Sequence, residues 1–298
     1  MTSLSWHDRY RSGNKVERTL RRMTPEDIPA ALALTERVGW LHEAADWARL
    51  LHWSPEGCFV LDEPETGLVG TVSTTPYDKA LGWIGMLVVS PERQRQGLGR
   101  ELMRAALDHL IARGTERIML DSSEAGRTLY QRLGFREVCK IERWEGRAST
   151  YLGPRARRMR PDERPAVFAL DATLFGLDRQ HILSRLMDEF PDLAWVDYEG
   201  SSLMGYLLGH RRRGRVYLGP WMSLSVPAAE RLLRVAFEQL QGQTVVLNIP
   251  DNNGRSLILA SDHNLRRIRH CTRMIYGDAE PPQGYPLAEL AITSLATG

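Results

Sequence analysis

Lysine is nearly missing from this chain: only Lys15, Lys79 and Lys140 occur among 39 basic residues, and arginine supplies the rest. Against 37 acidic residues the formal net charge is +2, a balance that does not point to nucleic-acid binding. Cysteine is equally scarce. Cys58, Cys139 and Cys271 are scattered without CxxC spacing, which excludes a disulfide framework and a zinc-ribbon pattern and leaves buried free thiols. His42, His52 and His181 do not stand at metal-ligand spacing with other ligands, so no metal is expected. No run approaches the roughly 18 apolar residues of a membrane helix, and the opening residues lack the apolar core of a signal peptide. The expectation is a cytoplasmic protein without a membrane partner.

What is present is ordinary globular composition, 43% hydrophobic and 26% charged, over 298 residues. That length suits two cores of roughly 130 to 150 residues each. Residues 16–23 alternate like a strand, and Thr24, Pro25, Glu26 and Asp27 then open a helix running towards Val38. A second amphipathic stretch over 47–53 precedes strands expected at 58–63, 67–75 and 81–90. Leu98, Leu102, Ala106 and Leu110 then recur on one helix face. A strand over 117–123 and a helix over 125–133, closed by Gly134, complete an α/β pattern.

The second half repeats this order. Arg49-Leu50-Leu51 with Pro55 matches Arg185-Leu186-Met187 with Pro191. Leu102-Met103-Arg104 and Leu110 match Leu232-Leu233-Arg234 and Leu240, and Gly126-Arg127-Thr128-Leu129 matches Gly254-Arg255-Ser256-Leu257. Three matches in one order indicate a duplication. The join falls in the Arg-rich stretch 146–154.

The chemically suggestive segment is Gln94-Arg95-Gln96-Gly97-Leu98-Gly99-Arg100, which follows an apolar strand and opens a helix. Glycines there leave the backbone bare, and the free amides and dipole of a helix N-terminus favour an anion of pyrophosphate size. A plain strand-to-helix turn would use glycines too. In its spacing, and in lacking an acidic ribose ligand about 20 residues on, the segment differs from a dinucleotide loop. It resembles motif A of the GNAT superfamily of N-acetyltransferases, and Ser123-x-x-Gly126-x-x-Leu129-Tyr130-x-x-Leu133-Gly134-Phe135 resembles the next conserved unit of that superfamily. Ser123 stands where asparagine is usual there and Gly126 where alanine is usual.

The resemblance implies two tandem GNAT-like domains of α/β (α+β) class, each with a mixed, mostly antiparallel central sheet flanked by helices. These are a catalytic domain over 16–150, a degenerate copy over 151–277 and a tail over 278–298. Phe175-Gly176-x-Asp178-Arg179, Gly219-Pro220 and Arg273-Met274-x-x-Gly277 resemble features of the tandem, YitH-like bacterial branch. The resemblance further implies acetyl-CoA as cosubstrate, bound by Leu87, Val88, Val89, Gln94, Arg95, Gln96, Gly97, Leu98, Gly99, Arg100 and Ser123. Tyr130 is implied as the acid that protonates the leaving thiolate. At the matching positions the second copy has Ile258 for Tyr130 and Ser225-Val226-Pro227-Ala228-Ala229 for the glycine loop, so only the first copy is expected to be active.

Glu43, Asp46, Asp78 and Asp121 are the carboxylates considered for deprotonating the acceptor amine, without a choice among them. Trp40, Trp47, Trp53, Tyr77 and Trp83 cluster on the expected acceptor side, most of them as core. Any that reach the cleft would suit a partly apolar or cationic small acceptor. Arg211-Arg212-Arg213-Gly214-Arg215 reads as a solvated hairpin turn. The preferred acceptor is a primary amine on a small molecule. The alternatives are a protein lysine or N-terminus, and a non-catalytic acetyl-CoA-binding regulator; the oligomeric state is not readable.

Overall fold

Two capping boxes start the first pair of helices. In the first, Asp27 accepts from the Thr24 amide at 2.8 Å and is clasped by the Arg21 guanidinium, launching a 3-10 turn that runs into α1 (Ile28–Arg37). In the second, the Asp46 carboxylate accepts from the Glu43 amide at 2.9 Å ahead of α2 (Ala44–Trp53). The computed structural model describes residues 18–285 and 287–298. The first strand, β1, spans Thr19–Arg22; Val16 and Glu17 of the expected strand lie outside the described residues.

Three strands follow, β2 (Cys58–Glu63), β3 (Gly67–Tyr77) and β4 (Leu81–Val89), and then α3 (Leu98–Ala112). The α3 stripe of Leu98, Leu102, Ala106 and Leu110 is buried with Phe59, Leu61 and Val72 of the sheet. A side chain at Gly70 would meet Leu102 Cδ1 at 2.8 Å, so the close approach of helix to sheet needs glycine there. β5 (Ile118–Ser122), α4 (Glu124–Arg132) and β6 (Phe135–Arg147) complete the first half.

The second half repeats every element. β7 (Arg157–Arg158), α5 (Arg164–Phe175) and α6 (Gln180–Glu189) lead to the strands β8 (Ala194–Glu199), β9 (Ser202–Arg212) and β10 (Arg215–Ser223). α7 (Val226–Gln239), β11 (Thr244–Pro250), α8 (Gly254–Asp262) and β12 (Arg266–Tyr276) follow, and a short β13 (Glu289–Ala291) comes after the repeat. Leu232, Leu233 and Ala236 of α7 and its C-cap Leu240 form a second core with Trp195, Leu207 and Leu247.

The strands do not form two separate sheets. Among the described residues they form one, in the order β1-β2-β3-β4-β5-β12-β6-β11-β10-β9-β8-β7, with β13 alongside β10. The last strand of each half has crossed over. β12 pairs with β5, Arg273 opposite Asp121, and β6 pairs with β11 from Ile141 to Arg147. β12 and β6 then pair with each other at the centre. Each half thereby covers the sheet edge that the other would leave open. Among the described residues only β4/β5 and β10/β11 are parallel; the other ladders are antiparallel.

Each parallel pair opens into a wedge. β4 and β5 stay in register only from Gly82 opposite Ile118 to Ile84 opposite Leu120. Beyond this, Met86 takes φ 51°, the pairing of β4 with β3 shifts register, and Thr71 Oγ1 donates to Met86 O at 2.8 Å. β10 likewise leaves β11 after Leu218, where the cis Gly219–Pro220 bond follows. There the wedge is filled: β13 pairs with Trp221 and Met222, and the next amide, Ile292 N, donates to Asn248 O of β11. The tail then crosses to the first half. Leu295 O accepts from Trp83 Nε1 at 3.3 Å, Thr297 O accepts from the Tyr77 hydroxyl, and Ala296 lies against Gly85.

Candidate active site

The open wedge between β4 and β5 leads into a cavity of about 420 Å³. Leu87, Asp121, Ser123 and Tyr130 line it from the first half's sheet and α4. Trp40, His42, Asp46 and Trp53 line it from α2 and the loop before it, and residues 293–297 of the tail form a further wall. From the second half and the exchanged strands come Arg143, His210, Arg212, Tyr217, Asn248 and Arg269.

At the mouth of the wedge stands the N-terminus of α3. Gly97 is its N-cap at φ 87°, a left-handed conformation that favours glycine, and no side chain caps the helix. The turn before it is pinned. Gln94 Nε2 donates to Val89 O at 3.1 Å, Gln96 Nε2 to Glu92 O at 3.2 Å, and Arg93 pairs with Glu63 at 2.8 Å. The Ser90 hydroxyl, then the backbone amide of Glu92 itself and Arg37, hold the Glu92 carboxyl down to about 2. Arg95, Gln96, Gly97 and Arg100 are exposed, whereas the Leu98 side chain is core, so Leu98 can offer a ligand its amide only. A Cβ on Gly99 would stand 3.3 Å from Leu129 Cδ2, so a larger residue would press α3 against α4. Uncapped amides plus the helix dipole suit an anion.

α7 occupies the corresponding place in the second half, and its N-terminus is closed. Ser225 Oγ accepts from the Ala228 amide at 3.3 Å, and Pro227 has no N–H to give. With β13 in its wedge and Ile258 63% exposed, the second half brings no comparable groups together among the described residues.

Tyr130 is buried on α4, its ring 6.0 Å from Phe135. A Cβ at position 126 would come within 2.8 Å of the Tyr130 ring, so Gly126 gives that ring its room. Burial, with Cys271 nearby, raises the Tyr130 phenol well above its ordinary value, and it stays protonated at neutral pH. Of the strand residues expected to hold a cosubstrate, Leu87 lines the cavity, Val88 is buried and Val89 is partly buried, so the backbone is what the latter two can present. Ser123 is the N-cap of α4 and lines the cavity.

The other candidates divide. Of the four carboxylates, Glu43 and Asp78 do not line the cavity, while Asp46 and Asp121 do. Both of these are engaged. Arg49 and Arg212 donate to Asp46 at 2.6 and 2.9 Å and, against the effect of burial, hold its carboxyl below the usual range. Burial pushes the Asp121 carboxyl up, opposed by Arg273, which donates to both its oxygens at 3.0 and 3.1 Å. Of the five aromatics, Trp40 and Trp53 reach the cavity; Trp47, Tyr77 and Trp83 are core.

The arginine hairpin is a turn with Arg211, Arg213 and Gly214 exposed, as expected, but it also docks on the first half. The Arg213 amide donates to Glu43 Oε1 at 2.7 Å, its guanidinium reaches Glu36, and Arg212 enters the cavity beside Asp46. Arg179 is fully buried, donating to Asp171 and to Thr293 Oγ1 of the tail. Local sequence gave no sign of His42 and His210 as cavity groups. Burial first, then Arg212, pushes their imidazoles down to about 4 and about 3, and each Nδ1 lacks a partner among the described residues. Both are neutral near pH 7.

Comparison with known proteins bears on the family and the fold. Residues 26–135 match the model of the acetyltransferase (GNAT) family, and residues 167–285 match that of an acetyltransferase (GNAT) domain. The chain is 23% identical to the uncharacterized N-acetyltransferase YitH of Bacillus subtilis over 72% of its own length and 76% of that protein. It is 30% identical to the [ribosomal protein bS18]-alanine N-acetyltransferase of Escherichia coli, over 40% of this chain and 82% of that one. A crystal structure of a putative acetyltransferase from Pyrococcus horikoshii superimposes with a TM-score of 0.78 at 23% identity, over 98% of this chain and all of the other. With two family models in tandem and an uncapped helix N-terminus beside an open wedge in the first of them, the chain belongs to the GNAT family of acetyltransferases.

Proposed function

We propose that the first half, residues 16–150, transfers an acetyl group from acetyl-CoA to a primary amine on a small molecule, with Tyr130 as the acid. The observation that carries this reading is the buried, protonated Tyr130 phenol facing the cavity that opens between β4 and β5. The GNAT family uses acetyl-CoA as cosubstrate, which supplies the activated thioester. The uncapped amides at Gly97, Leu98 and Gly99 suit its pyrophosphate, flanked by Gln94, Arg95, Gln96 and Arg100. Past the register shift in β4, the backbone of Leu87, Val88 and Val89 can pair with the pantetheine amides, and one amide there can polarise the thioester carbonyl. Ser123 lines the same opening.

The amine attacks as the free base, its nitrogen bonds to the acetyl carbon as the carbon–sulfur bond breaks, the departing thiolate takes the Tyr130 proton, and the proton shed by the new amide nitrogen returns to the Tyr130 phenolate, directly or through water. A cavity walled by both halves and by the tail favours a small acceptor over a protein segment. Residues 151–277, whose own wedge is filled, act as scaffold and acceptor wall.

The test is thiol release from acetyl-CoA at pH near 8 across amino acids, polyamines, amino sugars and peptides, alongside acetyl-CoA affinity by calorimetry. Tyr130→Phe is expected to lower turnover by about 10²-fold with affinity unchanged. Wild-type turnover in that variant would remove the acid role. Failure to bind acetyl-CoA would remove the whole reading.

A further inference from the structure

Where β6 and β12 run side by side at the centre of the sheet, Arg143 stands directly opposite Arg269. Both side chains line the cavity that Tyr130 faces. Like charges directly opposite each other across a ladder destabilise it. Several other arginines on or beside these strands are matched to acids: Arg267 with Glu142, Arg273 with Asp121, and Arg215 of β10 with Glu145. Among the described residues neither Arg143 nor Arg269 has a carboxylate within ion-pair distance.

Each guanidinium is held by neutral groups. Arg143 Nε donates to Asn248 Oδ1 at 3.0 Å and its guanidinium carbon lies 5.6 Å from the centre of the Tyr217 ring. Arg269 donates weakly to Cys271 Sγ at 3.6 Å. Asn248 and Tyr217 aim the Arg143 fork without neutralising it. Burial, reinforced by Arg269, pushes the Arg143 guanidinium down to about 10, the response of a cation lacking a counter-charge. The nearby Arg212 is already engaged by Asp46.

We propose that the acceptor amine carries an oxyanion, a carboxylate or a phosphate monoester, which Arg143 and Arg269 grip from the two exchanged strands. A planar guanidinium fork matches either group. An anion between the two arginines relieves their mutual repulsion, so the pair binds an anionic acceptor and rejects its neutral isostere, which leaves the partly buried Arg143 uncompensated beside the exposed Arg269. The grip exists only because β6 and β12 come from different halves, which gives the second half a direct part in choosing the acceptor. This proposal rests on the acetyl-transfer reading above.

Two measurements separate the failure of one from the failure of the other. The first is kcat/KM for thiol release with matched amines: glycine against glycinamide, and glucosamine 6-phosphate against glucosamine. The anionic member of at least one pair is expected to win by roughly 30-fold, and Arg143→Gln and Arg269→Gln should each abolish that preference through KM. Preference for glycine assigns a carboxylate, and for glucosamine 6-phosphate a phosphate. Equal rates within both pairs, or faster neutral members, would overturn the proposal.

The second measurement is quenching of tryptophan fluorescence by acetate and by inorganic phosphate in the full-length protein, since Trp40 and Trp53 line the same cavity. Saturable quenching by either anion, lost in Arg143→Gln and partly kept in Arg143→Lys, supports the grip even where no tested amine is acetylated. Quenching that is absent, or unaltered in both glutamine variants, counts against it. Circular dichroism of each variant ensures that a lost preference is not lost folding.

Discussion

His42 and His210 sit neutral in the cavity wall, and this sets an acid limit on stability. In the unfolded chain both imidazoles titrate near pH 6.5; in the folded one they titrate at about 4 and about 3. Between those values the unfolded state binds more protons, so unfolding free energy rises with pH across the window. The contribution is fully present above pH 6.5 and declines as pH falls towards 3. Because both imidazoles neighbour Arg212 and Asp46, their effects are coupled and do not simply add. A loss on the order of a few kcal/mol by pH 4 is expected in denaturant titrations at stepped pH. His210→Leu should flatten the decline, and an identical slope in that variant would be the disproof. At this scale the sequence was legible where the chemistry is local. Tyr130 and the Gln94–Gly99 turn lie on single short segments, and each can be recognised from its own neighbours. Arg143, Arg269, His210 and Asn248 meet only through pairing of distant strands, and nothing adjacent to any of them announces that meeting.

Among the elements, the clearest contrast is between two helix N-termini at equivalent places. Ser225 closes α7 with its own hydroxyl, whereas α3 starts on Gly97 with no side-chain cap. Ser225→Ala should therefore destabilise the fold by about 1 kcal/mol and leave acetyl-CoA affinity untouched. Gly97→Ala forces a side chain into a left-handed backbone, at about 1 to 2 kcal/mol. Relaxing that strain tilts the free amides away, and acetyl-CoA affinity should fall roughly tenfold. Thermal melts and calorimetry on both variants test the pair; the contrast fails if Ser225→Ala also weakens binding. The helices were readable because apolar residues recur every fourth position, and the hairpins because turns separate their strands. The partners of β6 and β12 were not. A strand's alternation records which face is buried, not which strand lies beside it. The three residues of β13 carry too short a pattern to stand out from a loop.

At the scale of the molecule, the exchanged strands make the halves inseparable. A fragment ending at residue 150 would lack β12 beside β5, and β6 would lose both its neighbours, β12 and β11. Such a fragment should fail to fold as a monomer, and the intact chain should unfold in a single calorimetric transition. Two well-separated transitions, or a monomeric 1–150 fragment with native circular dichroism, would contradict that. The order of synthesis gives the exchange another meaning. The half that carries Tyr130 leaves the ribosome first, yet β5 keeps a bare edge until Tyr276 has been made, and one wall of the cavity is missing until Thr297 has. The second half thus acts as a timer: translation must run through nearly all of it before the cavity beside Tyr130 is walled in.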